Sequence, residues 1–324
     1  MSPGTTLTAS EIASQPDCWR QAERLAPSLE EVLPGPGERV AVIGCGTSWF
    51  VAQSYAALRE RAGQGLTDAF AASQFPYGRV RAGGPDSNRG GTRHGTLRVY
   101  DRVLALTRSG TTTEVLEVLD TLRGEVPLSA ITADPGTPVM EAADQVAVLD
   151  FADERSVVQT RFATSALALL RAHLGHRLEP VARDAERALA ARLPAEVVRA
   201  EQFTFLGTDW TYGLALEAAL KMREAAGAWT EAYPAMEHRH GPISIAAPNR
   251  VVWALGRLPE GLADSVRQTG AVLLHDSCPA SAPVGELDPM ADLVRAQRVA
   301  VAVAEARGMD PDRPRNLTRS VVLN

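Results

Sequence analysis

The chain has 324 residues, of which 45% are hydrophobic and 22% are charged, and its formal net charge is −6 at pH 7. This composition is typical of a globular protein long enough for two domains, and the interleaved charges form no basic stripe that would favour nucleic acid or a membrane surface. Three scattered cysteines are too few for a disulfide framework or a zinc cluster, and no apolar run reaches membrane-spanning length. We therefore expect a cytoplasmic protein with no metal and no cofactor.

The first predicted unit follows a polar start, in which we expect a helix at 22–32 that ends at the PGPG sequence of 34–37. An apolar run at 39–43 predicts a strand, the GCGTS sequence at 44–48 predicts a Gly-rich turn, and 49–61 predicts a helix. Backbone amides at such a helix start, with two hydroxyls beside them, can hold a phosphate. The turn lacks the third glycine of a dinucleotide fingerprint, and Gly-rich turns of this kind are common, so this pattern alone is a weak signal.

A second hydroxyl-rich turn follows further along the chain. The Gly-rich segment 81–96 is predicted to be a flexible loop without chemistry. A strand at 103–106 leads into the sequence TRSGTTT at 107–113 and a helix at 114–122. Threonine and serine are also ordinary helix N-caps, but five hydroxyls in seven residues, with an arginine among them, exceed what capping needs. Two such turns at one carboxyl edge of a parallel sheet can converge on one ligand.

The remaining pattern predicts more strands and helices and an internal repeat. Segments 40–58 and 203–220 both contain an apolar run, a Gly turn with threonine, and a helix ending in Ala-Ala-Leu. We infer two copies of one α/β unit, 1–175 and 195–324, each a doubly wound parallel sheet between layers of helices, flavodoxin-like in type. Further strands are predicted at 128–132, 145–149, 250–255 and 271–275, and long helices at about 160–173 and 289–307.

Lys221 is the only lysine, because all the other basic residues in the total of 33 Lys+Arg are arginine. An amine can lose a proton or attack a carbonyl, whereas a guanidinium stays charged. Glu217, Lys221 and Glu224 share one helix face, and from spacing alone the simpler interpretation is a solvated ladder of ion pairs. The titratable run that follows, including His238 and His240, favours acid–base chemistry near neutral pH instead. A metal site is less favoured, because the ligand spacing is irregular and no cysteine joins it.

Several motifs together resemble a known family. They are GCGTS, SGTTTE, SVVQTRFATSAL, the pair EAALKMRE and HGPISI, and the terminal PRNLTRSV, and they occur in the family's order over nearly the whole chain. Together they resemble the isomerase part of glucosamine-6-phosphate synthase and the sugar isomerase (SIS) domain proteins. The resemblance implies tandem SIS domains, a homodimer and a bound hexose 6-phosphate. The residues it places around that ligand are Thr47, Ser48, Thr107, Arg108, Ser109, Thr112, Val157, Gln159 and Arg319.

The same resemblance implies roles for the charged helix. Glu224 would move the proton between C1 and C2 of the sugar, and His240 would open the sugar ring from the neighbouring subunit. Lys221 and Glu217 would lie beside them. Whether Lys221 forms an imine stays open at this point.

Three departures from the synthases limit the reaction. The chain begins with Met-Ser-Pro and carries no glutaminase domain with an N-terminal cysteine, so we expect no glutaminase activity. Arg319 stands where the family has a lysine, and it can neither form an imine nor act as a base. Thr107 and Arg108 stand where the synthases have serine and glutamine.

We therefore expect an isomerase or deaminase that acts on a ketose or amino-sugar 6-phosphate, of the fructose 6-phosphate or glucosamine 6-phosphate type. Its chemistry would be ring opening and C1–C2 proton transfer. A fructosamine-6-phosphate deglycase and a non-catalytic sugar-phosphate sensor are the alternatives. A sensor would need the hydroxyl-rich turns but not Glu224, Lys221 and His240 together.

Overall fold

The computed structural model describes residues 6–80, 99–275 and 286–323. Five of its strands form a first, wholly parallel sheet: β1 (Val40–Gly44), β2 (Thr67–Ala71), β3 (Arg102–Leu106), β4 (Leu128–Thr132) and β5 (Gln145–Val148). They lie side by side in the order β2-β1-β3-β4-β5. This is the flavodoxin-like order, in which the direction of winding reverses between β1 and β3.

A second parallel sheet repeats this arrangement with β6 (Gln202–Gly207), β7 (Trp229–Pro234), β8 (Arg250–Leu255) and β9 (Val272–Leu274). Its order is β7-β6-β8-β9, so β6 takes the place that β1 has in the first sheet. The α/β class, with two doubly wound parallel sheets, is therefore confirmed. The equivalent strand order is also what the repeat of 40–58 and 203–220 predicts.

The helices cover both sheets. They are α1 (Leu7–Ala13), α2 (Gln15–Leu25), α3 (Thr47–Arg61), α4 (Thr113–Leu122), α5 (Val139–Ala142), α6 (Arg161–His173), α7 (Glu179–Ala190), α8 (Ala195–Val198), α9 (Thr211–Ala226), α10 (Leu262–Gln268) and α11 (Pro289–Ala306). Within the described ranges, no helix is both long enough and apolar enough to cross a membrane.

Some local predictions were wrong. The helix expected at 22–32 is α2, which ends at Leu25 and continues as a 3-10 turn that contains Pro27, a residue that cannot donate a helical hydrogen bond. Strands β2 and β7 were not predicted. Both lie at an edge of their sheet and are only partly buried, so their sequences lack a continuous apolar run. The segment 81–96 lies outside the described residues.

One apolar core joins the two halves, and each sheet also has an apolar cluster of its own. A single apolar cluster contains side chains of both sheets, such as Val42 and Leu104 from the first and Phe205 and Trp253 from the second. Helices α3 and α9 pack against each other, and a Cβ at Gly213 would lie 2.3 Å from the carbonyl oxygen of Phe50. This close approach brings the turn at the start of α3 beside the charged residues of α9.

The predicted domain limits, 1–175 and 195–324, stay a prediction. The connector between them contains α7, which packs on α2 and α11. The C-terminal tail, assigned to the second domain, returns to the first sheet, where the Val321 carbonyl accepts a hydrogen bond from Thr113 N at 3.2 Å.

Candidate active site

A cavity of about 210 Å³ opens at the carboxyl ends of β1 and β3. Both hydroxyl-rich turns form its wall, together with the loop after β5, one residue of α9 and the C-terminal tail. This is the point of the first sheet where ligands bind in folds of this type. All nine side chains expected around a sugar phosphate line it: Thr47, Ser48, Thr107, Arg108, Ser109, Thr112, Val157, Gln159 and Arg319.

The first turn delivers its hydroxyls from the start of α3. A Cβ at Gly44 would lie 2.7 Å from the backbone of Ser48, so only glycine allows the helix to begin this close to the strand. Thr47 and Ser48 are both buried in the first turn of α3. The Thr47 hydroxyl accepts a hydrogen bond from Lys221 Nζ at 3.0 Å, which connects this turn directly to α9.

The second turn offers polar groups of two kinds. The hydroxyl of Thr107 is buried on the cavity wall and has no hydrogen-bond partner within the described part of the chain. The hydroxyl of Ser109 accepts from the Thr111 amide at 3.3 Å and from the Thr111 hydroxyl at 3.1 Å. Because Thr107 lacks a partner and Ser109 keeps its own proton, both can bind a ligand oxygen.

Arg108 lines the cavity, but its guanidinium is occupied by backbone carbonyls. It donates to Ser156 O at 3.2 Å, to Val157 O at 3.4 Å and to Arg319 O at 2.6 Å. Burial lowers the pKa of Arg108 from its ordinary value, while nearby Glu154 opposes that effect. The geometry therefore makes Arg108 a link between the wall segments.

The charged face of α9 is buried, so the solvated ladder suggested by spacing alone is wrong. Lys221 and Glu217 each keep only 1% of their side-chain surface exposed, and Glu224 keeps 19% and reaches the cavity wall. Helices α3 and α11 and strands β6 and β7 surround α9 and cover its polar stripe as well as its apolar one. Lys221 Nζ donates to Glu224 and lies 3.5 Å from Glu217 Oε1.

The two carboxylates keep Lys221 protonated. Burial lowers the pKa of Lys221, but the adjacent Glu217 and Glu224 reverse this effect and leave the pKa raised above its ordinary value. Burial also raises the pKa of Glu217 to about 8, and Lys221 offsets that rise only in part. Glu217 and Glu224 both favour the ammonium form of Lys221, which suits an electrostatic role better than imine formation.

His240 lies apart from this cavity. It is exposed in the 3-10 turn Glu237–His240 and is absent from the described cavity wall. Its neighbour His238 is fully buried, and burial lowers the pKa of that imidazole. Of the four residues expected to be catalytic, the structure thus brings Glu217, Lys221 and Glu224 together and leaves His240 outside.

The sequence analysis did not predict some of the residues that line the cavity. Thr318, Ser320 and Val321 line the cavity beside Arg319, and they belong to the PRNLTRSV motif that carried part of the resemblance. Cys45 and Glu114 also line it, and one carboxylate oxygen of Glu114 is buried with no hydrogen-bond partner in the described ranges. No spacing pattern distinguishes Glu114 from an ordinary acidic residue in the first turn of a helix.

The chain has the same fold as two solved phosphosugar enzymes. The glucosamine-6-phosphate deaminase of Thermotoga maritima matches with a TM-score of 0.77 at 23% identity, covering 98% of this chain and 100% of that chain. The tagatose-6-phosphate ketose/aldose isomerase of Escherichia coli matches with a TM-score of 0.77 at 18% identity, covering 98% and 96%. The chain therefore has the fold of the SIS-type phosphosugar isomerases.

In sequence, the chain is similar to larger enzymes. A glutamine–fructose-6-phosphate aminotransferase (isomerizing) from Nostoc sp. is 28% identical over 359 residues, an alignment that covers 94% of this chain and 54% of the relative. The chain spans about half the length of the curated relatives it matches. No protein-family model matches the sequence. The resemblance predicted from the motifs is confirmed.

Proposed function

We propose that the protein is a phosphosugar isomerase or deaminase that acts on a ketose or amino-sugar 6-phosphate. The observation that carries this proposal is the Glu224 carboxylate, which reaches the hydroxyl-lined cavity while paired with the buried ammonium of Lys221. A site that only binds a sugar phosphate has no use for a carboxylate supported in this way. The names of the relatives and of the structural neighbours agree with the proposed substrate class.

In the proposed mechanism, the 6-phosphate binds at the starts of α3 and α4, where Thr47, Ser48, Ser109 and Thr112 supply hydroxyls. This anchors the open-chain sugar with C1 and C2 near Glu224. With an amino sugar, Glu224 takes the proton from C2 to give an enolamine and returns it to C1, and water then hydrolyses the resulting C2 imine to ketose and ammonia. With a hydroxy sugar, the same transfer through an enediol interconverts aldose and ketose.

Lys221 supports Glu224 in this scheme. As an ammonium it donates to the Glu224 carboxylate and orients it at the cavity wall, and its contact with Thr47 fixes its own position. Glutamine is not part of the proposed reaction. The nitrogen, where there is one, is already on the sugar.

A homodimer with shared sites is part of the proposal. In one chain, Glu224 lies on the cavity wall whereas His240 is exposed and lies elsewhere. A donor that opens the sugar ring must come within hydrogen-bond reach of O5. We propose that the partner subunit supplies this histidine. A two-fold interface would place one such histidine at each of the two sites.

The test is a substrate screen with Glu224→Gln as the matched control. Fructose 6-phosphate, glucosamine 6-phosphate, fructosamine 6-phosphates and the unphosphorylated sugars are assayed for ammonia and for aldose–ketose exchange. We expect turnover of a phosphorylated substrate that disappears in Glu224→Gln. Release of an amine from fructosamine 6-phosphate alone would favour the deglycase, and tight binding without turnover of any substrate would favour the sensor.

A further inference from the structure

Two arginines of the cavity wall, Arg108 and Arg319, connect the segments that form it. Arg108 comes from the turn after β3 and is buried, with 5% of its surface exposed. Arg319 comes from the C-terminal tail. The Arg108 guanidinium donates to the Arg319 carbonyl at 2.6 Å, so the two residues meet through one side chain and one backbone.

Both guanidiniums also hold the loop after β5. Arg108 donates to the carbonyls of Ser156 and Val157. Arg319 donates to the carbonyl of Glu154 and, at 2.5 Å, to the carboxylate of Asp153. Four residues of this loop are thus bonded to one or the other arginine.

Further hydrogen bonds attach the tail to the turn after β3 and to the start of α4. The Thr111 and Ser320 hydroxyl oxygens lie 3.0 Å apart, within hydrogen-bond distance, and the Leu323 amide donates to the Thr113 hydroxyl at 2.9 Å. The turn after β3, the loop after β5 and the tail all line the cavity. The position of the tail over the site therefore depends on contacts that cross between these three segments.

The chemistry of the two side chains explains why both are arginine. A guanidinium presents five N–H groups in a planar fork and can bridge several oxygens at once, which a glutamine or a lysine in the same place cannot do. Arg108 uses this fork on three carbonyls of two segments, and Arg319 uses it on a carbonyl and a carboxylate. Arg108 and Arg319, two of the positions at which the chain departs from the synthases, are therefore in direct contact.

We propose that Arg108 and Arg319 are a coupled pair of positioning residues, which together clamp the C-terminal tail across the sugar-phosphate cavity. Phosphate binding then rests on the hydroxyls of the two turns, and Arg108 acts on the ligand only through the tail. This inference deepens the proposed function and rests on it for the identity of the ligand. The clamp itself is a property of the free protein.

The first experiment measures hydrogen–deuterium exchange of segment 317–323 in the ligand-free, full-length protein. We expect Arg108→Gln and Arg319→Gln each to speed exchange about ten- to a hundred-fold at the Leu323 amide, which donates to the Thr113 hydroxyl; this is the range for losing hydrogen bonds to a charged group. Because the two residues act as one unit, the double variant should be scarcely faster than either single variant. Arg319→Lys, which keeps the charge but loses the fork, should lie between wild type and Arg319→Gln.

Two further variants serve as controls for the exchange experiment. Arg298→Gln is the matched control, since Arg298 also donates to two backbone carbonyls, those of Ala188 and Ala191, away from the cavity. It should leave tail exchange unchanged. Asp153→Asn weakens the clamp without altering either arginine, and it should speed tail exchange even if an arginine variant folds poorly.

The second experiment measures the affinity of the same variants for fructose 6-phosphate and, once a substrate is known, their KM and kcat. Both arginine variants should weaken binding by a similar factor and raise KM more than they lower kcat. Wild-type tail exchange in either single variant, or effects that multiply in the double variant, would overturn the clamp. Because exchange is measured without ligand, that failure is distinct from a failure of the proposed function, which appears as no binding and no turnover in the wild type.

Discussion

The hydroxyls of the two turns are the residues on which phosphate binding is expected to depend. Ser109 is buried on the cavity wall, where its hydroxyl oxygen accepts a hydrogen bond from the Thr111 amide and its own proton can turn towards a ligand. Ser109→Ala should weaken binding of the sugar phosphate by about 1.5–3 kcal/mol, the loss of a hydrogen bond to a charged group. Calorimetry with the phosphorylated and the free sugar measures this, with the exposed Ser28→Ala as control. Equal affinity of wild type for the two sugars would reject the phosphate assignment.

The Lys221→Arg variant tests whether the site requires a compact ammonium. The Nζ of Lys221 fits between the Thr47 hydroxyl and two carboxylates, and the side chain is completely enclosed. A planar guanidinium is larger and has a different donor geometry, so Lys221→Arg should abolish turnover although the charge is kept. Full activity of this variant would show that the amine is dispensable. Since its pKa is raised, we also expect no adduct after borohydride treatment with substrate, as judged by mass spectrometry.

Glu217 should make stability depend on pH. Its pKa is about 8 in the folded protein against an ordinary 4.5, so between these values the folded state holds a proton that the unfolded state has released. The stabilisation is therefore complete below about pH 4.5 and is lost as the pH rises through about 8. Urea unfolding between pH 5 and 9 should show a smaller loss of stability with rising pH in Glu217→Gln than in wild type. Parallel curves for the two proteins would mean that Glu217 ionises normally.

At the scale of elements, the contact between α3 and α9 positions the acid–base cluster. A methyl group at position 213 would overlap the backbone of α3, so Gly213→Ala should force the helices apart at a cost of about 1–3 kcal/mol. The shift should also separate Lys221 from Thr47 and reduce activity. Gly78→Ala is the control, because a Cβ there meets no described atom within 4 Å. Unchanged stability and activity in Gly213→Ala would show that the interface adapts.

The buried central strands were the most readily predictable elements. β1, β3 and β8 contain continuous apolar runs because they are covered on both faces, and the hydroxyl-rich turns after β1 and β3 were recognisable because they follow such runs. The burial of Glu217 and Lys221 was not predictable, because spacing along α9 records which residues share a face but not what covers that face. The contact of Arg108 with Arg319 joins residues 211 positions apart and has no local signal.

At the scale of the whole molecule, the position of His240 gives the sharpest prediction. If the partner subunit supplies this histidine, mixing Glu224→Ala with His240→Ala after reversible dissociation should restore activity. In a mixed dimer one site carries both substitutions and the other carries neither, so two inactive parents should regain part of the wild-type rate. Native mass spectrometry verifies the exchange. If mixed dimers form and stay inactive, His240 acts within its own chain or has no role.

The packing of α3 on α9 also has an evolutionary consequence. These helices are equivalent members of the internal repeat, and each follows the first strand of its sheet. A half-length ancestor with a single unit would have exposed the surface that α3 now buries, and pairing with a second copy of itself would have covered it. The middle of the present chain would then be a former subunit interface, made permanent by duplication and fusion. In the present chain the hydroxyl-rich turns that line the cavity belong to the first unit, and the acid–base residues lie on α9 of the second.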